Sequence, residues 1–166
     1  MNMFDIPLNI QFDRKASDIL GGDYWRVMKS FRAYIPASFL ANEWTAYDKD
    51  RWIFVPSGTL TDLGTIPQIA RAIENRDGRA AQAFVTHDQA CEYLSATYRG
   101  QPQPITRREA DLILRAGLID CGLPMSDVNI IYGAVSAYAW INRITEPSTY
   151  ALKRRLEAEF NFEGLE

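Results

Sequence analysis

Hydrophobic and polar positions alternate in the first third of the chain and recur at helical spacing in the rest. Between Tyr24 and Pro36, the residues Trp25, Val27, Phe31, Ala33 and Ile35 alternate with polar ones, with a slip near Lys29-Ser30. That is the pattern of a strand with one face in a core. The stretch Phe39 to Tyr47 predicts a second strand, Asp48-Lys49-Asp50 a polar turn, and Arg51 to Val55 a third strand closed by Pro56-Ser57-Gly58. Together they predict a small antiparallel sheet. Residues 1–22 show little periodicity and end in Gly21-Gly22, so the expectation there is an irregular arm.

The period then changes. A loop rich in turn formers, Thr59 to Pro67, leads to a short helix over Gln68 to Glu74. The central helix is expected from about Arg79 to Tyr98, stopped by Gly100, Pro102 and Pro104. Thr106 followed three residues later by Glu109 is a capping box, opening a helix to about Cys121 with Ala110, Ile113, Leu114, Gly117 and Leu118 inward. Ser126 is placed to cap a long helix, Asp127 to about Ile144, that is apolar nearly all round and so belongs in the middle of a bundle. Tyr150, Leu152, Leu156 and Phe160 mark a last helix with Lys153, Arg154 and Arg155 facing outward. The fold class is α+β, a small N-terminal antiparallel β-sheet followed by a bundle of four to five α-helices. Its 166 residues fit a single domain, 1–166, divided into an arm (1–22), strands (23–58) and a helical bundle (59–166).

Composition narrows the function classes. The net charge of -3 and pI near 5.3 argue against a protein built to grip phosphate backbones, so no nucleic-acid partner is expected. Glu157 and Glu159 beside the basic run Lys153 to Arg155 point the same way. No apolar run approaches the length of a membrane span, and the start MNMFDIPLNI has no signal-peptide layout, so cytoplasmic synthesis is expected. Cys91 and Cys121 fall on separate predicted helices without metal-type spacing and read as reduced core thiols.

The candidate chemistry centres on His87, the sole histidine, and its neighbour Asp88. Successive helical residues point about 100° apart, so Asp88 does not orient His87 and is free to aim at a cation. A histidine acting as a base needs a partner that fixes its tautomer. Asp111, on the next helix, is the best candidate. Simple helix lengths leave the two about 8 Å out of level unless the connection climbs back or the helices cross. A buried polar network without catalysis fits the same three residues. Asp62 and Thr65 also suit plain turn hydrogen bonding, Arg107 and Arg108 a solvated helix start, and Tyr132, Tyr138 and Trp140 the core. Ser57, Ser95 and Ser126 have no second histidine to serve them, which leaves a serine triad without support.

The ordered motifs VPSGTLTDLGTIP, DGRAAQAFVTHDQACEY and TRREADLIL resemble the phage-associated domain of unknown function family 1353, over about Trp25 to Ile144. Thr65 stands where that family's loop has Ser, and Cys91 where its His-Asp helix has Tyr. The His-Asp helix facing an Asp-bearing helix is in turn similar to the core of the secreted phospholipase A2 enzymes. That likeness implies His87 as base, Asp111 as its orienting carboxylate and Asp88 as a metal ligand, with Ca2+ the implied ion; the loop TLTDLGT offers Asp62 as a second candidate ligand. The disulfides and glycine-rich calcium loop of those enzymes have no counterpart here.

Two functions follow. In one, the chain is a phage virion structural or accessory protein, made in the bacterial host cytoplasm, which uses its N-terminal arm and a sheet edge to join other phage proteins or its own copies. In the other, it is a His-Asp hydrolase of esterase or phospholipase type, assisted by a divalent metal.

Overall fold

The computed structural model describes residues 2–37, 47–63, 80–141 and 147–160. Most of the second expected strand, the Gln68 to Glu74 helix and Thr65 lie outside the described residues, as do the side chains of Tyr138 and Trp140. The strands are β1 (Ile10–Phe12), β2 (Trp25–Val27), β3 (Phe31–Pro36), β4 (Tyr47–Val55), β5 (Leu60–Thr61), β6 (Ser95–Tyr98) and β7 (Gln101–Pro104). The helices are α1 (Arg14–Leu20), α2 (Ala81–Tyr93), α3 (Arg107–Asp120), α4 (Met125–Ile141) and α5 (Pro147–Ala158). The α+β class stands, with two antiparallel sheets in the orders β1-β2-β5 and β3-β4-β6-β7.

The slip at Lys29-Ser30 is a full break that sends β2 and β3 to different sheets. Along β3, Phe31, Ala33 and Ile35 are buried while Arg32 is exposed, the two-residue period of a sheet with one covered face. Asp48-Lys49-Asp50 is not a separate turn but part of β4. Its pairing with β3 jumps from Tyr34↔Trp52 to Ile35↔Asp48, so the polar residues bulge out of the ladder.

The N-terminal segment is structured, contrary to the irregular arm expected. Asp13 caps α1 through the Ala16 amide. Phe4 bridges Ala33, Tyr34 N donates to Met3 O at 2.8 Å, and Arg32 N donates to Asp5 Oδ1 at 2.8 Å. Met3 is buried in the core. Phe4, Ile6, Leu8 and Ile10 pack against the core beside Met3, and they alternate along the chain, a two-residue period that the expectation of an irregular arm overlooked. The segment covers the outer edge of β3.

The stretch expected to be purely helical after residue 59 contains a hairpin. Helix α2 stops at Tyr93, with Leu94 left-handed (φ 47) as its C-cap. Strands β6 and β7 then pair through a two-residue turn at Arg99-Gly100, both with positive φ. The pairs Tyr98↔Gln101 and Ala96↔Gln103 carry the inward hydrogen bonds of such a turn, so residues 102 and 104 face outward. Both are proline, and this edge therefore offers no N–H to another strand.

Of three core clusters among the described residues, the two larger lie on either side of a middle layer of α2 and α3, and the third is Ala16, Leu60 and Leu156. Phe31, Ala33, Ile35, Ile53 and Val55 from the larger sheet meet Val85, Ala90, Ala110 and Ile113. On the other side, Phe84, Leu114 and Leu118 meet Val128, Ile131 and Val135 of α4. Helix α4 is thus an outer layer rather than the middle of a bundle, and Met125 and Ile130 are exposed. It also begins one residue before Ser126, which is not its cap. The Thr106–Glu109 capping box is present on α3 as expected. No helix among the described residues is long and apolar enough to cross a membrane.

Helices α2 and α3 approach closely at Gly117, where a Cβ would sit 2.8 Å from Ala83 Cβ and 3.5 Å from Met3 Sδ. Ala83 cannot swing away, so the helices themselves would have to part. We expect Gly117→Ala to lower stability by about 1–3 kcal/mol despite the better helix propensity of alanine, measured by urea unfolding.

Candidate functional site

The β6–β7 hairpin returns the chain to its starting level, because Ile105 N donates to Leu94 O at 3.0 Å. From that closure His87 lies about 10 Å down α2 and Asp111 about 9 Å along α3 at 1.5 Å per residue. The mismatch expected from sequence therefore disappears: the connection does climb back. The pairs Leu94–Ile105, His87–Asp111 and Ala83–Gly117 have residue numbers summing to 198–200, one antiparallel register held from cap to close contact.

His87 Nε2 lies 2.7 Å from Asp111 Oδ1, with both residues buried (6% and 4% exposed). Arg107 Nε donates to the same oxygen at 3.3 Å, and Ser136 Oγ of α4 donates to Oδ2 at 3.5 Å. Arg107 is therefore not simply a solvated helix start, whereas Arg108 is exposed. Burial pushes the His87 pKa below its ordinary value, against the pull of Asp111 and with a smaller push from Arg107. At neutral pH the ring is uncharged. With Nε2–H donated to the carboxylate, the lone pair falls on Nδ1. Cys91 Sγ, one turn along α2, is 3.3 Å from Nε2. It shares the nitrogen that Asp111 holds, which is not the arrangement of a Cys-His-Asp triad, where the two partners take opposite nitrogens. Burial also raises the Cys91 thiol to about 12, so it is protonated. Neither Cys91 nor Cys121 is in a disulfide.

Asp88 turns toward β5, where it accepts a hydrogen bond from Thr61 Oγ1 at 2.8 Å. Its pKa rises to about 8, first because it is desolvated and next because Asp62 is near, with Thr61 and Lys153 opposing. Asp62 and Asp88 are therefore neighbours, though 26 residues apart in sequence. Beside them lies a charge cluster that sequence reasoning missed. Lys153 was expected to face outward but is only 7% exposed. It pairs with Glu92 and, at 3.1 Å, with Glu157. Arg154 Nε also reaches Glu92, at 3.0 Å, and Glu157 Oε1 accepts from Leu60 N at 2.8 Å. Glu92 stands one helical turn after Asp88, a spacing that marks a shared face. A signal was present: Lys153 lies three residues after Tyr150 and three before Leu156, the helical spacing of one face, whereas neither Arg154 nor Arg155 has that spacing from both.

Among the described residues, the one group of three or more His, Cys, Asp or Glu side chains close enough to share an ion is His87, Cys91 and Asp111, with ligand atoms within 4.8 Å of one another. The Asp88–Asp62 pair is separate from it.

The molecule is thus an α+β domain with a buried His–Asp pair between two antiparallel helices and a second carboxylate turned aside from it. The family model described as "Protein of unknown function (DUF1353)" matches residues 25–135, and the chain belongs to that family. No curated protein and no solved structure shows a significant match. The matched span holds His87, Asp88, Asp62, Cys91 and Asp111, while α5 with Lys153 lies beyond it.

A pH prediction follows from Asp88. Its folded pKa is raised to about 8 from the ordinary carboxyl value of 3.8, so between those limits the folded state holds a proton that the unfolded state has lost. The group therefore reduces stability progressively as pH rises from about 4 to about 8. Asp88→Asn should remove that component. The variant should gain on the parent by roughly 1–3 kcal/mol between pH 5 and pH 8, a trend readable from urea midpoints across pH. His87 titrates in both proteins and cancels in the difference.

Proposed function

We propose that the protein is a hydrolase in which His87, oriented by Asp111, withdraws a proton from the water that attacks an ester. The observation carrying this reading is the 2.7 Å His87–Asp111 bond between two separate helices. It supports a neutral imidazole held in one tautomer, the form that a general base needs. Asp88 and Asp62 supply oxygen donors of the kind Ca2+ prefers, beside a threonine hydroxyl, and a divalent ion would offset the burial of Asp88 and the repulsion from Asp62, which together raise it. Bound there, the ion would act as a Lewis acid. His87 and Asp111 would hold and move the proton.

The reading as a virion structural or accessory protein rested on a free arm and an open sheet edge. The arm is spent on β3 and the β7 edge is blunted by Pro102 and Pro104. What favours it still is β1, paired on one side only among the described residues, with Phe12 and Ile19 exposed nearby. In that reading β1 would meet another phage protein or a second copy, after synthesis in the host cytoplasm.

The test is hydrolysis of short- and long-chain p-nitrophenyl and phospholipid esters, with and without Ca2+. We expect His87→Ala and Asp111→Asn each to lower kcat about 100-fold or more with little change in KM. Parent protein without activity on any of these esters, or variants as active as the parent, would rule the hydrolytic reading out. A concentration-dependent dimer abolished by charge substitution of Phe12 would then favour assembly.

A further inference from the structure

We propose that His87, Cys91 and Asp111 form a second and chemically different metal site, selective for a thiophilic divalent ion of the zinc class. His87 and Cys91 are four residues apart on α2 and so present Nε2 and Sγ on one face, 3.3 Å apart. Asp111 brings a carboxylate from α3, 2.7 Å from the same nitrogen. Tetrahedral zinc with bonds of about 2.0–2.3 Å sets its ligand atoms about 3.3–3.6 Å apart. The His–Cys spacing is within about 0.3 Å of that value, and Asp111 would have to withdraw from Nε2 by roughly 0.6 Å while keeping its oxygen close to Sγ, the three ligand atoms lying within 4.8 Å of one another. Nitrogen, sulfur and oxygen donors together suit zinc and exclude calcium, which takes oxygen alone.

The surrounding groups are consistent with an ion entering and staying. Cys91 is only partly buried, so the approach is from its side. Ser136 Oγ, on Asp111 Oδ2, would hold the carboxylate from behind, as outer partners of metal ligands do. Arg107 is the opposing charge, 3.3 Å from Oδ1, but its side chain is 40% exposed and can turn to solvent. On binding, the Cys91 thiol loses its proton to solvent and becomes a thiolate. The imidazole stays neutral, its proton passing from Nε2 to Nδ1. Three protein ligands leave one position for water. Occupancy takes Nε2 away from Asp111, so the ion and the His87–Asp111 bond are alternatives.

Cobalt titration of the full chain tests this without any turnover, so its failure and that of the hydrolytic reading are separate outcomes. Co2+ added at mildly alkaline pH should give an intense near-ultraviolet thiolate-to-cobalt band that saturates at one equivalent, is bleached by Zn2+ and is untouched by excess Ca2+. Cys91→Ser, nearly isosteric, should abolish the band with an unchanged far-ultraviolet circular dichroism spectrum. Cys121→Ser should keep it, and Asp111→Asn should weaken Co2+ binding roughly tenfold or more. No band in the parent protein, or a band that survives Cys91→Ser, would overturn the proposal.

Discussion

The close approach of α2 and α3 at Ala83 and Gly117 is the contact on which the rest depends. A side chain at residue 117 would meet another helix at 2.8 Å, so the pair can close only where one partner has no Cβ. Because the register is continuous from that contact through His87–Asp111 to the Leu94–Ile105 closure, backbone packing and site geometry are one constraint. Met3 fills the third side of the contact, and its amide is tied to Asp120 Oδ2 at 3.0 Å. The N-terminal segment is thereby part of what sets the helix spacing.

The two aspartates flanking this arrangement differ through their surroundings. Asp111 is met by a histidine, an arginine and a serine. Asp88 is met by a hydroxyl and a second carboxylate and holds its proton to about pH 8. Lys153, the cation that opposes the rise in Asp88, is already engaged by Glu92 and Glu157. Its pairing fastens α5 across β5 and the end of α2, with the Arg154 guanidinium lying 4.7 Å over the Tyr93 ring. Much of what holds α5 is therefore charge rather than apolar area, with Leu156 its buried apolar anchor among the described residues.

How much of this was legible depended on whether the cause was local. The Thr106–Glu109 capping box is a three-residue affair and reads straight from the chain. The α+β class and the identity of the His87 partner also read correctly, because periodicity and residue chemistry were enough. The hairpin did not. Its strands contain Ala96 and Tyr98, which continue the helical spacing of α2, and only the positive φ at Leu94, Arg99 and Gly100 breaks it. Lys153 was missed for a different reason: its partner Glu92 is 61 residues away, and a run of three basic residues looks solvated. The expected central position of α4 failed because an apolar composition on all sides does not say which side will be covered.

The hairpin between α2 and α3 also bears on how this site can vary. A connection that leaves at Leu94 and returns at Ile105 sets the helix register at its base, not along its length. Paired insertions or deletions at the Arg99-Gly100 tip would lengthen or shorten the ladder outward without moving His87 relative to Asp111. The 24-residue interval between them is consequently not a signature to be searched for. Divergent versions of the site would be recognised by the left-handed residue that ends the first helix and the capping box that opens the second, whatever lies between.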